Sequence, residues 1–148
     1  MDTTSSAPRA LSANERLDLL RLTRSENVGP ITFRQLMTRY GTAGAALEAL
    51  PELARRGGRR KAIKICSIAT AERELAALKA AGAHLVALGE PDYPLPLANI
   101  EDAPPVLTVF GHTHLLQRPA IAIVGARNAS GAGRKFAREL AAALGREE

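Results

Sequence analysis

The pattern of apolar residues changes at Gly82, and this change constrains the fold more than any other feature of the sequence. Before Gly82 the apolar residues recur with the period of a helix; one such stripe comprises Phe33, Leu36, Met37 and Tyr40. After Gly82 they form short continuous runs at residues 84–88, 106–110 and 120–124. Such runs, separated by Pro and Gly, are typical of buried strands. The sequence therefore predicts a helical front part followed by an α/β part.

Four helices are predicted before Gly82. Ser12 and Glu15 have the spacing of a capping box, which begins a helix ending near Arg24, before the turn at residues 27–30. The second helix carries the stripe above and ends at Gly41. A third covers residues 43–50 and stops at Pro51, and a fourth begins near Thr70.

The last apolar run leads through residues 125–133 into an amphipathic helix bearing Phe136, Leu140 and Leu144. A strand, a turn and a helix in this order predict the opening of a parallel α/β sheet. One such unit does not cover both faces of its sheet, so we expect the chain to be the front portion of a longer protein.

The composition supports one globular domain or two small ones, since 46% of the 148 residues are hydrophobic. We expect a flexible tail over residues 1–10, a helical domain over 11–83 and an incomplete α/β domain over 84–148. No signal peptide or membrane span is evident, and the single cysteine, Cys66, has no disulfide partner. These features predict a cytoplasmic protein.

The net charge is +5, and residues 1–80 hold 14 basic and 8 acidic side chains. An excess of positive charge indicates a polyanionic partner. One cluster in this region is uninterrupted by acid and is predicted as an accessory patch for the backbone of a nucleic acid: Arg55, Arg56, Arg59, Arg60, Lys61 and Lys64. A solvated loop is the alternative interpretation of such a charge run.

The turn between the third apolar run and the last helix is the strongest candidate for binding chemistry. Ser130 is placed to cap the helix, and the N–H groups of Gly131 to Gly133, with the helix dipole, predict an anion seat. The other predicted phosphate-binding residues are Gly125, Arg127, Arg134 and Lys135. The turn is neither a dinucleotide fingerprint nor a P-loop, because Arg127 replaces the second glycine and no Gly-Lys-Ser/Thr follows.

No catalytic residues, cofactor or metal site are predicted. No histidine lies near Ser130 in the sequence, and His112 with His114 are too few ligands for a metal. Tyr93 fits a packed turn residue better than a platform for base stacking.

Three segments in this order resemble the DNA-processing protein A family (DprA, also called Smf). They are Asn27-Val-Gly-Pro30 with Thr32 and Phe33, then Asp92-Tyr-Pro94 with Asp102-Ala-Pro-Pro105, and then Ile123-Val-Gly125 with Arg127, Ser130 and Gly133. The resemblance covers almost everything after residue 11. One departure is Ala126, where the family usually has Ser or Thr.

The resemblance implies a small all-α, SAM-like helix-hairpin-helix domain followed by the first part of a Rossmann-like parallel α/β domain. It further implies a non-enzymatic protein of natural transformation that binds and protects incoming single-stranded DNA and helps to load RecA. The implied partners are single-stranded DNA and RecA, with a homodimer in the full-length protein and no membrane. Gly125 and Arg127 would then contact a DNA phosphate.

Two other functions stay open at this point. One is a Rossmann-type nucleotide phosphoribohydrolase, which would need a Gly-rich motif and a glutamate beyond residue 148. The other is a duplex-DNA-binding hairpin module formed by residues 11–83, with the Val28-Gly29-Pro30 turn holding phosphates through its N–H groups.

Overall fold

The computed structural model describes residues 9–58 and 61–146. These residues separate into two compact units, the first ending at Gln117 and the second beginning at Arg118. The helices are α1 (Ala13–Thr23), α2 (Pro30–Tyr40), α3 (Ala43–Arg56), α4 (Ile68–Ala80), α5 (Leu95–Ala98) and α6 (Gly131–Leu144). The strands are β1 (Ala83–Ala87) and β2 (Val106–Phe110), and a 3₁₀ helix follows at Thr113–Gln117.

Local sequence signals set the ends of α1 and α2 as predicted. Ser12 Oγ accepts the N–H of Glu15 at 3.2 Å, and the Glu15 carboxylate accepts the N–H of Ser12 at 2.9 Å. This reciprocal pair is a complete capping box. Gly41 ends α2 with a φ of 76°, a left-handed conformation that glycine adopts without a steric penalty.

The first three helices pack around one apolar core. Leu22 from α1, Phe33 and Leu36 from α2, and Leu47 and Leu50 from α3 are all buried in it. A second, smaller cluster joins Leu20 to Cys66 and Ala71, and thereby brings α4 against α1. The front part of the chain is therefore helical, as the periodicity predicted.

The predicted end of the third helix at Pro51 is wrong. Helix α3 continues through Pro51 to Arg56. Proline lacks the N–H that would bond to the carbonyl of Leu47, which is unfavourable for the helix. Leu50 is buried and Leu53 packs against the same core, and this packing on both sides of the proline holds the helix together.

Strands β1 and β2 form an antiparallel pair in which Ala83 faces Phe110 and Ala87 faces Val106. The fold class is confirmed as a helical domain followed by part of an α/β region, but these first two strands are not parallel. Parallel strands are usually joined by a full crossover helix. The connection here contains only the four-residue α5.

The third apolar run does not form a strand in the structure. Residues 120–124 are irregular, and Val124 is 91% exposed. A strand requires a neighbouring strand with which its backbone forms hydrogen bonds. Within residues 118–146 no other segment pairs with residues 120–124. The predicted helix that follows is confirmed as α6.

The predicted domain boundary at residue 83 stays a prediction. Both strands belong to the first compact unit, and Ala87 and Val106 pack against the helical core. Of the expected tail, residues 1–8 lie outside the described ranges, while Arg9 forms an ion pair with Glu15 of α1.

Candidate nucleic-acid interface

The start of α6 is built by the side chain of Ser130. Its backbone is extended, with φ −60° and ψ 161°, and its Oγ accepts the N–H of Gly133 at 3.1 Å. Its carbonyl accepts the N–H of Arg134 at 3.0 Å. Over the described residues, the N–H groups of Gly131 and Ala132 have no protein acceptor. The anion seat therefore offers two amides rather than the three predicted, because the cap itself occupies Gly133.

Arg127 lies in a turn three residues before this cap and is exposed. Within residues 9–58 and 61–146 its guanidinium has no carboxylate or hydrogen-bond partner. Gly125 does not have a positive φ, so the expected sharp turn does not depend on its conformational freedom. A Cβ at Gly125 would meet nothing within 4 Å, which leaves open space beside the backbone.

The two cations at the beginning of α6 differ in their surroundings. Arg134 is exposed and unpaired over the described residues, whereas Lys135 Nζ lies 3.8 Å from Glu139. Arg138, one turn after Arg134, was not among the predicted site residues. The four-residue spacing of the two arginines is the signal that identifies it.

The segment of the chain that contains this site is rich in positive charge. Residues 118–146 contain six cations and one acid, Glu139. The excess of positive charge is therefore not confined to residues 1–80, because the second compact unit, which begins at Arg118, is also strongly basic. The start of α6 is exposed, and Arg134 adds positive charge near the positive end of the helix dipole.

The predicted accessory patch is less basic than the sequence indicated. Glu52 accepts hydrogen bonds from both Arg55 and Arg56, the latter at 3.0 Å, because α3 places them three and four residues apart. The accessory patch stays a prediction, although two of its arginines are paired with an acid that precedes the run. Lys61 and Lys64 are exposed, and Arg59 and Arg60 lie outside the described residues.

The hairpin between α1 and α2 is tied to the segment before α4. Glu26 N–H donates to the carbonyl of Lys64 at 2.9 Å, and the N–H of Lys64 donates to the Glu26 carboxylate at 3.1 Å. The N–H of Val28 donates to the carbonyl of Ser25 at 3.3 Å. The N–H groups of Glu26 and Val28 are therefore both hydrogen-bonded within the protein, and so is the Glu26 carboxylate.

Tyr93 is a packed turn residue, as its sequence context favoured. Its hydroxyl donates to the carbonyl of Pro104 at 2.7 Å, and burial raises the pKa of the phenol. It is only 5% exposed, so its ring is not presented for base stacking.

No three histidine, cysteine or acidic side chains in residues 9–58 and 61–146 are grouped so as to ligate a metal ion. No helix in the same ranges combines the length and apolar character needed to cross a bilayer.

Comparison with known families gives two matches, which lie side by side along the chain. Residues 13–77 match the model described as the DprA-like N-terminal HHH domain. Residues 84–148 match the model described as DNA recombination-mediator protein A. A search of curated proteins found no match. The two family models together span most of the 148 residues, and we conclude that this chain belongs to the DprA family of DNA-processing proteins and recombination mediators.

Proposed function

We propose that the chain binds single-stranded DNA without catalysing a reaction, and that a backbone phosphate is held at the start of α6. The observation that carries the proposal has two parts. Arg127 is exposed in the turn three residues before the helix cap, and the N–H groups of Gly131 and Ala132 have no acceptor over the described residues. Unpaired donors at a helix start are a favourable environment for an anionic oxygen.

The chemistry of this site favours the nucleic-acid backbone over the bases. The donors are two amides and guanidinium groups, which recognise phosphate oxygens and carry no sequence information. Binding is therefore expected to tolerate any base sequence and to weaken with salt, because each neutralised phosphate releases counterions.

The family membership supports the wider biological role in this proposal. A recombination mediator acts on DNA before strand exchange, so we propose that this chain protects incoming single-stranded DNA in natural transformation and helps to load RecA. RecA as a partner and a homodimer of the full-length protein are parts of the same proposal. They are tested by co-sedimentation with RecA on DNA and by the mass of the full-length protein in solution.

The duplex-DNA alternative is less favoured by the hairpin geometry. Within the predicted turn, Val28 already uses its N–H group in the protein and Pro30 has no N–H to offer. The phosphoribohydrolase alternative stays a prediction that release of free base from a nucleoside monophosphate would reveal.

The proposed function is tested by replacing Arg127 with Gln and measuring the binding of single-stranded oligonucleotides across a range of salt concentrations. If Arg127 holds one phosphate, affinity should fall by about two- to fivefold for every base sequence. The salt slope, which is the slope of the logarithm of the binding constant against the logarithm of the salt concentration, should become shallower by about 0.7. The matched control is Lys79→Gln, which removes one exposed cation from α4. The same affinity and slope in Arg127→Gln and the unmodified chain would contradict the proposal.

A further inference from the structure

Helix α6 has two chemically distinct faces. Arg134 and Arg138 are four residues apart, so they share one face and are separated by about 6 Å along the helix axis. The apolar side chains of Phe136, Leu140 and Leu144 follow their own stripe on the opposite face. The two arginines therefore form a short row that leads away from the start of the helix.

This row carries charge that the protein itself does not neutralise. Over the described residues Arg134 and Arg138 have no carboxylate partner, whereas the neighbouring Lys135 has Glu139 at 3.8 Å. The first turn of α6 contains no acidic residue. Cations near the positive end of a helix dipole are unfavourable, and an anion bound beside them would relieve this repulsion.

We propose that single-stranded DNA continues from the start of α6 along the row formed by Arg134 and Arg138, so that Arg138 holds a second backbone phosphate. The inference rests on the proposed function and extends it, because it gives the bound strand a direction across the protein surface. A single small anion would be satisfied at the helix start. Guanidinium groups displaced along the axis suit a polyanion whose charges also repeat along a line.

The experiment compares two lengths of oligothymidine, one of about four nucleotides and one of about sixteen, in binding to the chain of residues 1–148. Arg138→Gln should leave the short ligand almost unaffected. It should weaken binding of the long ligand by about two- to fivefold and make its salt slope shallower by about 0.7.

Three further variants separate this row from the general charge of the protein. Arg146→Gln makes the same charge change beyond the end of α6 and should have the smaller effect on the long ligand. Glu139→Gln removes the acid of α6 and should strengthen binding of the long ligand, which is the opposite of the effect expected for Arg138→Gln. Arg127→Gln should weaken both ligands, and helicity measured by circular dichroism should be equal in all variants.

The outcomes distinguish the two proposals. If Arg127→Gln weakens binding but Arg138→Gln behaves like the unmodified chain on the long ligand, the second phosphate site is wrong and the proposed function stands. If neither variant changes binding, the proposed function itself fails. If Arg138→Gln lowers binding to vesicles of anionic lipid while leaving DNA binding unchanged, the row serves a membrane surface and the inference is overturned.

Discussion

The carboxylate of Glu90 accepts a hydrogen bond from Nη2 of Arg16 at 2.6 Å, although the two residues are 74 positions apart in the sequence. The same carboxylate accepts Arg16 Nε at 3.0 Å, the N–H of Leu11 at 3.1 Å and the N–H of Ala87 at 2.9 Å. The Glu90 side chain is only 5% exposed. One buried carboxylate therefore joins the start of α1 to the turn that follows β1.

Removing this carboxylate should destabilise the first compact unit. Glu90→Ala leaves the N–H groups of Leu11 and Ala87 without their acceptor, and we expect a loss of about 2–3 kcal/mol in the free energy of unfolding. Glu90→Gln keeps one acceptor oxygen, so its free energy of unfolding should fall by less than that of Glu90→Ala. The measurement is urea denaturation followed by circular dichroism.

Asp92 provides the control for this prediction, because it is an exposed acid two residues away. Asp92→Asn should change the free energy of unfolding by less than about 0.5 kcal/mol. Equal stabilities of Glu90→Ala and Asp92→Asn would show that the buried carboxylate contributes nothing.

The capping box of α1 should respond to acid at an unusually low pH. Hydrogen bonding to Arg9, followed by hydrogen bonds from Ser12, lowers the pKa of Glu15 to about 2. As the pH falls, Glu15 is protonated in the unfolded chain at a higher pH than in the folded chain, because only the folded chain has the lowered pKa. The stabilisation from Glu15 is therefore complete above the ordinary carboxyl pKa and disappears as the pH approaches 2.

This titration is measured by NMR of the Glu15 side-chain carboxyl carbon. Arg9→Gln removes the largest cause of the shift, so it should raise the pKa of Glu15 towards its ordinary value. An unchanged midpoint in Arg9→Gln would disprove the role assigned to the guanidinium.

Ser130 allows the capping of α6 to be separated from DNA binding. Asp is a good helix cap, so Ser130→Asp should preserve α6, but its negative charge should repel a phosphate at the same place. Ser130→Ala should instead lose about 1 kcal/mol of helix stability. Helicity and oligonucleotide affinity, measured on the same samples, should therefore move differently in the two variants. DNA binding by Ser130→Asp equal to that of the unmodified chain would place the phosphate elsewhere.

Pro51 offers a stabilising substitution. In Pro51→Ala the new N–H is placed to bond to the carbonyl of Leu47, and α3 regains the hydrogen bond that proline lacks. Proline also restricts the unfolded chain, which offsets part of this gain. We expect a net increase of about 1–2 kcal/mol in the free energy of unfolding, measured by urea denaturation. A decrease would mean that α3 is already adapted to the proline.

The sequence by itself determined those features that depend on neighbours within one turn of helix. The capping box of Ser12 and Glu15, the cap at Gly41 and the cap of α6 by Ser130 are local arrangements, and each formed where the residue types predicted it. The helical front part followed from the periodicity of its apolar residues for the same reason.

Only the tertiary structure decided the features that depend on distant parts of the chain. The antiparallel pairing of β1 with β2, the passage of α3 through Pro51 and the joining of Arg16 to Glu90 arise from contacts between separate elements. A propensity for extended structure does not specify a partner, which is why residues 120–124 resemble a strand in sequence but form none. Local residue types determined the start of α6. That Arg127 has no carboxylate partner among the described residues depends on where every acidic side chain lies, so only the tertiary structure shows it.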